Sequence, residues 1–462
     1  MFGWEFPPHI SGGLGIACHG LTEALGNDSV NIFFVVPTLK GEEQLRCGKL
    51  ICASKVVVPL EEEPNEMTLG KPGRMADRTV VSANERNVIV TEEDSVTTLR
   101  VPSSLSPYHQ NVEDIGMVKV THWNYSFEDK YPISRIYPIE PHEVPYATHG
   151  VSYDFSGSYG PALMDEVEKY AIVARAISRQ YAHHIIHAHD WMTFKAGMEA
   201  KKASNKPLIV HIHATEFDRA GSKGRQEIYE VERLGMLAAD RVISVSERTK
   251  AIAVREYGIP EKKIVVVHNG ISPAANGTAG FSAALGPNVV TFLGRVTYQK
   301  GPIYFVEAAR KVLEQFPNTH FLVAGAGDLL PAIIERVAQL RISSSFHFTG
   351  FVKKTDVEKI WSISGVYVMP SVSEPFGITP LEAIQAGVPV IISNQAGVGE
   401  VMPHAIKVDF WDTAALAEAI CSVLQYKSLS KTLKKNSSEE IKNISWQKAS
   451  QKIKTLYHEL AS

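Results

Sequence analysis

The apolar positions of the chain fall in short continuous runs that alternate with segments of helical period. In the first half the runs are NIFFVVP (31–37), IIHAHD (185–190), PLIVHIHA (207–214), RVISVS (241–246) and KIVVVHNG (263–270). In the second half they are NVVTFLGR (288–295), HFLVAGAG (320–327), FHFTGF (346–351), GVYVMPS (365–371), VPVIISN (388–394) and AIKVD (405–409). Continuous β-branched runs, in place of strict alternation, predict strands covered on both faces. Ile303, Phe305, Val306, Ala309, Val312 and Leu313 form one amphipathic stripe between them, and Leu237, Ala238 and the segment 248–257 belong to others. Strand alternating with helix predicts an α/β chain of doubly wound parallel sheets. Such sheets bind ligands at the carboxyl ends of their strands, so functional residues are expected just after these runs.

Two regions interrupt the alternation. Residues 40–150 hold EEEPNE, GKPGRMADR and short strand-like pieces such as KVVVP, NVIV and TTLRV. They read as an insertion with some antiparallel structure. Residues 271–287 are small and rich in Gly, Ala, Ser and Pro, which reads as a linker. The expected division is a first domain over 1–270, with its insertion at about 40–150, and a second over 288–443. A length of 462 residues exceeds what one core supports, in keeping with two domains. The segment 444–460 carries a helical apolar stripe at Ile444, Trp446, Ala449, Ile453, Leu456, Tyr457 and Leu460.

Composition narrows the class. Apolar residues make up 44% and charged residues 21%, as in ordinary globular proteins. The net charge of -3 supplies no field for nucleic acid or an anionic membrane. No run approaches the roughly 20 apolar residues of a membrane span. The start, MFGWEFPPHI, lacks a basic segment followed by a long apolar one, so no secretory signal is expected. Cys18, Cys47, Cys52 and Cys421 are too scattered for a disulfide framework, and Cys47 and Cys52 have no His or Cys at ligand spacing. A cytoplasmic setting is expected.

Candidate chemistry centres on SEPFGITPLEA, residues 373–383, where Glu374 and Glu382 flank a turn punctuated by Pro375, Gly377 and Pro380. Glu374 precedes proline and so is not inside a helix. For Glu382 two readings stand. With Thr379 as N-cap and Pro380 at the first helical position, T-x-x-E is a capping box. The same geometry presents the N–H groups of Gly377, Ile378 and Thr379 at a helix start, an anion site. Upstream, FLGRVTYQKG sets Arg295 and Lys300 on one strand-to-helix loop, a planar fork and a point charge suited to a diphosphate. In the first half, His211 and His213 share one side of a strand, and the carboxyl-end position favours His213. His187, His189 and Asp190 imitate a metal cluster, but a buried strand end with mixed hydrogen bonding is the favoured reading. Trp191 is a packing residue or an acceptor platform.

These motifs in order resemble the retaining glycosyltransferases of the GT-B fold. The carriers are R-x4-K-G after a strand, VAGAGD, FTGFV and the E-x7-E of SEPFGITPLEAIQAGVPVI. ISGGLG (10–15) resembles the glycine-rich loop of glycogen and starch synthases, and HAHDWMTFKAG (187–197) their HAHDW segment. HIHATEFDR (211–219) sits where the family carries a histidine near the transferred sugar. The resemblance covers nearly the whole chain except 40–130. It implies two Rossmann-like domains facing across a cleft, with the final helix, 444–462, packing back on the first domain. It implies transfer of a hexose, glucose first, from ADP- or UDP-sugar to a glycan such as an α-1,4-glucan. Arg295, Lys300, Glu374 and His213 would be catalytic, with Glu374 on the hexose and Glu382 on the ribose. Gly12, Gly13, Asp190, Gly377, Ile378 and Thr379 would complete the substrate site.

The pattern departs from the family in one loop. Ile10 stands where glycogen synthases commonly carry a lysine, which keeps open a non-catalytic nucleotide-sugar-binding regulator. A sugar-nucleotide epimerase is the other alternative, and E-x7-E argues against it. There is no DxD at a strand end, so neither a metal nor a cofactor is expected. Only MFGWEFP precedes the glycine-rich loop, so the first strand is expected to be abbreviated.

Overall fold

The computed structural model describes residues 1–9, 12–28, 30–59, 79–83, 86–93, 96–100, 117–121, 150–221, 224–272 and 288–461. Two parallel sheets organise it, and both form from the continuous apolar runs. The first runs in spatial order Lys49–Cys52, Phe33–Val36, the segment at Phe2, Ile186–His189, Leu208–Ile212, Arg241–Ser244 and Ile264–Val266. Phe2 bridges Val35 on one side and Ala188 on the other, both in parallel. Its N–H donates to His187 O at 2.8 Å, and Gly3 N–H donates to Val35 O at 2.9 Å. The first few residues thus act as an abbreviated central strand.

The second sheet runs Phe346–Gly350, His320–Ala324, Val289–Leu293, Val366–Met369, Val390–Ser393 and Ile406–Val408. Strands Ile186–His189, Leu208–Ile212, Val366–Met369 and Val390–Ser393 are buried at every position, as their unbroken apolar runs require. Numbered by appearance in the chain, each sheet reads 3-2-1-4-5-6 before any further strand. The order reverses beside Phe2 in one sheet and beside Val289–Leu293 in the other. A doubly wound sheet opens a crevice at that reversal, outside the carboxyl ends of its two middle strands. The loops leaving those strands carry Gly12, Gly13 and Asp190 in the first half, and Arg295, Lys300 and Glu374 in the second.

Within 40–150, strands Val58–Pro59, Gly150–Val151, Met117–Thr121, Val96–Arg100, Arg86–Glu93 and Thr79–Ala83 form an antiparallel sheet in that order. Lys49–Cys52 belongs instead to the first parallel sheet. EEEPNE, GKPGRMADR, Ile10 and residues 273–287 of the expected linker lie outside the described residues. Among the described residues no helix is long and apolar enough to cross a membrane.

The last helix, Trp446–Ala461, lies on helix Gly13–Asn27 of the first half. Trp446, Ala449, Ile453 and Leu456 share a core with Ala17, Cys18 and Leu21. Ser450 Oγ donates to Asp28 Oδ2 at 2.8 Å, and Lys454 Nζ to Asp28 O at 2.7 Å. The chain crosses to this position beside the first crossing: Ile271 bridges Ser445 in parallel. Gly270 permits the approach, because a Cβ there would stand 2.2 Å from Trp446 N. A Cβ on Gly20 would meet the Trp446 indole at 2.3 Å. We therefore expect Gly20→Ala to destabilise the protein by about 1–3 kcal/mol, despite the better helix propensity of alanine. Denaturant titration checks this, and an unchanged or raised midpoint would contradict the packing.

Candidate active site

The turn that carries Glu374 is pinned along its whole backbone. Glu374 N–H donates to Gln395 O at 3.0 Å. The next three carbonyls each find a different donor. Glu374 O accepts Gly397 N–H at 2.9 Å, Pro375 O accepts Ser246 Oγ at 2.5 Å and Phe376 O accepts Val398 N–H at 2.7 Å. Gly397 has to be glycine, since a Cβ would stand 2.1 Å from Pro375 O. Gly377 turns the chain at φ +100°, a left-handed conformation that favours glycine. Glu374 is 6% exposed, and its Oε2 accepts a charge-assisted hydrogen bond from Lys300 Nζ. Ser371 Oγ stands 3.4 Å from the same oxygen.

The helix after the turn spans Thr379–Gln385, with Ile378 as N-cap and no side-chain cap. The expected capping box is therefore absent. The helix begins one residue earlier than expected, so Thr379 is its first residue and Glu382 sits beyond the reciprocal position. Leu381 and Glu382 donate their N–H groups to Ile378 O instead. The Tyr367 hydroxyl donates to Leu293 O at 3.3 Å. Burial holds the Tyr367 phenol well above its usual range, and the charges of Glu374 and Glu382 add to the shift. Both carboxylates of E-x7-E thus bear on one tyrosine.

Lys300 ends the short helical turn Tyr298–Lys300, and Arg295 is exposed on the same loop. The loop rests on the VAGAGD turn: Val296 N–H donates to Ala326 O at 2.9 Å, and Leu329 N–H to Val296 O at 3.0 Å. A Cβ on Gly325 would stand 1.8 Å from Gly294 O. The glycines of that motif let the cationic loop lie flat against its neighbour.

In the first half Asp190 is 4% exposed and adopts φ +61°. Its Oδ1 accepts the N–H groups of His213 at 2.7 Å and Ala214 at 3.2 Å. Asp190 therefore fixes the backbone that presents His213. Arg219 stands 3.8 Å from Asp190 Oδ2 and pairs with Glu232 at 3.0 Å. Burial alone would lower the Arg219 pKa, but Glu232, Asp190 and Glu216 together hold it above its usual range. Burial pushes the Glu232 carboxyl up to about 7 against Arg219 and Tyr257. His213 is half-buried, and its Nε2 lies 3.1 Å from His189 Nδ1. Burial lowers its pKa, while Asp190 opposes the shift. The mixed hydrogen bonding expected around the histidines is only partial, because among the described residues His187 Nε2, His189 Nε2, His213 Nδ1 and both nitrogens of His211 have no partner. Trp191, 4% exposed, packs in the first core.

Gly12 caps helix Gly13–Asn27, and among the described residues a Cβ on either Gly12 or Gly13 would meet no atom within 4 Å beyond its own stretch of chain. The protein's own packing does not demand glycine there. Sequence reasoning missed Glu5 and Tyr159. Glu5 is 7% exposed; its Oε1 accepts Gly15 N–H at 3.1 Å and its Oε2 accepts Tyr159 OH at 3.1 Å. Burial raises the Tyr159 pKa, Glu5 and Asp190 raise it further, and Arg295 of the second half pulls it down. Tyr159 therefore lies in the field of Arg295 as well as that of the first-half carboxylates. It sits in the SGSYGP segment, to which sequence patterns assign no role. Ser246, Asp218 and Arg248 were missed too. Ser373 Oγ donates to Asp218 Oδ1 at 2.6 Å and accepts Arg248 Nη2 at 3.2 Å, which joins the halves beside Glu374.

Residues 280–440 match the model described as Glycosyl transferases group 1, and residues 137–275 match Glycosyltransferase Family 4. An uncharacterized glycosyltransferase of Methanocaldococcus jannaschii is 34% identical over 48% of this chain and 60% of its own length. An alpha-maltose-1-phosphate synthase of Mycolicibacterium smegmatis is 31% identical over 52% of this chain and 69% of its own. The matched part of the chain thus spans about 60% of the first of these relatives. Among solved structures, a sucrose-phosphate synthase of Thermosynechococcus elongatus superposes with a TM-score of 0.63 at 18% identity, over 97% of this chain and 94% of the other.

Asp190→Ala is expected to cost about 2–4 kcal/mol, because it strands two N–H groups and one side of Arg219. Asp190→Asn keeps an acceptor for those groups and should cost less. Chemical denaturation measures both, and an Ala variant of wild-type stability would show that Asp190 does not hold the His213 backbone.

Proposed function

Because the chain belongs to the GT-B glycosyltransferases, we propose that it moves a hexose, glucose first, from ADP- or UDP-sugar to a glycan with retention of anomeric configuration. An α-1,4-glucan is the first acceptor to test. The observation that carries this reading is the pair of half-buried Lys300 with buried Glu374 at the second sheet's reversal point, with Arg295 exposed on the same loop.

The chemistry follows from where charge develops. Leaving of the nucleoside diphosphate builds negative charge on the β-phosphate oxygen and positive charge at the anomeric carbon. Preorganised cations and N–H groups aimed at that oxygen are the largest catalytic contribution available. Lys300 and Arg295 supply the cations. The N–H groups at Gly377–Thr379 and at the start of helix Gly13–Asn27 supply the dipoles. Lys300 is already held by Glu374, so it needs no large reorganisation when the diphosphate arrives. Glu374 then faces the hexose, Glu382 the ribose, and His213 the sugar from the first half. Open space beside Gly12 and Gly13 leaves room for the backbone to approach the donor. Retention fits attack on the same face as departure, with the leaving phosphate taking the acceptor's proton. In this reading no metal takes part in the transfer step.

Arg295→Ala and Lys300→Ala are each expected to lower turnover by about 10²–10³-fold, roughly 2.7–4 kcal/mol in the barrier, with a far smaller change in folding stability. Donor hydrolysis and transfer, scanned over ADP- and UDP-sugars, measure this. Wild-type kcat in either variant would overturn the assignment. In the same assay, transfer at 25 °C should survive EDTA. Loss that Mg²⁺ or Mn²⁺ specifically restores would show that a hard cation serves the diphosphate.

A further inference from the structure

The transfer chemistry leaves unused the imidazoles behind His213. His187 and His189 alternate on one strand and His211 lies on the next, with His211 in register with His189 and Ile209 with His187. Side chains two apart on a strand share a face, so all three imidazoles rise on the same side of the sheet. Each is 2% exposed or less. The ring of His187 lies 4.3 Å from that of His189 and 5.4 Å from that of His211, and His189 and His211 are 5.2 Å apart. One nitrogen from each residue lies within 4.8 Å of the other two.

The outer contacts are as telling as the inner ones. His187 Nδ1 is held by Tyr457 OH at 2.6 Å and His189 Nδ1 by His213 Nε2 at 3.1 Å. Among the described residues, His187 Nε2, His189 Nε2 and both nitrogens of His211 have no partner. Leaving a buried polar atom unpaired is costly, so each of these nitrogens calls for a partner. Neutral imidazoles with free lone pairs are metal ligands.

We propose that His187, His189 and His211 bind a single transition-metal ion, Zn²⁺ as first candidate, which ties adjacent strands of the first sheet together beneath His213. Three imidazoles without a carboxylate suit Zn²⁺, Cu²⁺ or Ni²⁺ and not Mg²⁺ or Ca²⁺. Zn–N bonds of about 2.0–2.1 Å place tetrahedral donors about 3.3 Å apart, so binding turns the imidazoles out of the stacking they now show and draws together nitrogens that lie within 4.8 Å. Tyr457 and His213 act as the outer partners that fix which nitrogen of His187 and His189 faces inward. Through Tyr457 the ion also steadies helix Trp446–Ala461 on the sheet. Cys18, His189 and His213 form a second possible group. In that group His189 Nδ1 and His213 Nε2 already face each other at 3.1 Å.

The test uses the full chain without a histidine tag, stripped with chelator, dialysed, and given Zn²⁺ or Co²⁺. About one ion per chain is expected by elemental analysis, with the visible bands of four-coordinate Co²⁺ and a Zn²⁺-dependent rise in Tm. His211→Ala should retain less than about a tenth of the ion and lose the Tm rise, while Cys18→Ser should keep both. Wild-type protein that binds less than about a tenth of an ion per chain would overturn the site, and this holds even if the His211 variant does not fold. Undiminished binding in His211→Ala, or loss of the ion in Cys18→Ser, would overturn the ligand set.

Discussion

The turn from Ser373 to Gly377 has one conformation open to it, and the candidate site depends on that constraint. Three consecutive carbonyls are each claimed by a different donor, one of them Ser246 of the other half. Buried carbonyls need partners, so the turn cannot shift without abandoning at least one of these bonds. Gly397 lets the two chain segments touch. Ser373 adds a second tie through Asp218 and Arg248. The consequence is local and chemical: Glu374 is delivered to Lys300 in a nearly dry setting, where a charge-assisted bond is strong and an unpaired carboxylate would be costly. The same bonds set the seam between the sheets, because the residues that hold the turn are also those that join the halves.

Topology explains why that seam is also where the candidate residues gather. Each sheet reverses its strand order beside its first strand, and each reversal opens toward the loops that carry glycines, carboxylates or cations. Two such crevices brought face to face combine N–H groups and a histidine from one side with two cations and two carboxylates from the other. Tyr159 marks the junction, since the carboxylates of the first half and Arg295 of the second act on its phenol in opposite directions. A diphosphate seated there would meet preorganised donors on both sides, which is what a departing diphosphate requires.

Much of this was legible in the sequence because burial on both faces leaves an unbroken apolar run. All eleven such runs became strands of the two parallel sheets. The residues after them could be placed without knowing the packing, since a doubly wound sheet puts them at one edge. Where the pattern failed, the cause was tertiary. Lys49–Cys52 is only partly buried, and its short run gave no sign that it pairs with Phe33–Val36. The capping box at Thr379 obeyed local rules, but the helix starts where Ile378 closes the pinned turn. Glu5 and Tyr159 stand 154 positions apart, and no local pattern joins them. The histidines looked like ordinary strand-end residues until the register of two strands set them on one face.

The central claim is that the Lys300 loop and the Glu374 turn form a preassembled seat for a sugar diphosphate between the two sheets. A crystal structure with a nucleoside diphosphate bound tests this most directly. The account predicts the β-phosphate within hydrogen-bond reach of Lys300 and Arg295, about 2.7–3.2 Å, with the ribose on Glu382 and the Ser373–Gly377 turn unmoved. A diphosphate bound away from that loop, with the Lys300–Glu374 pair untouched, would contradict it.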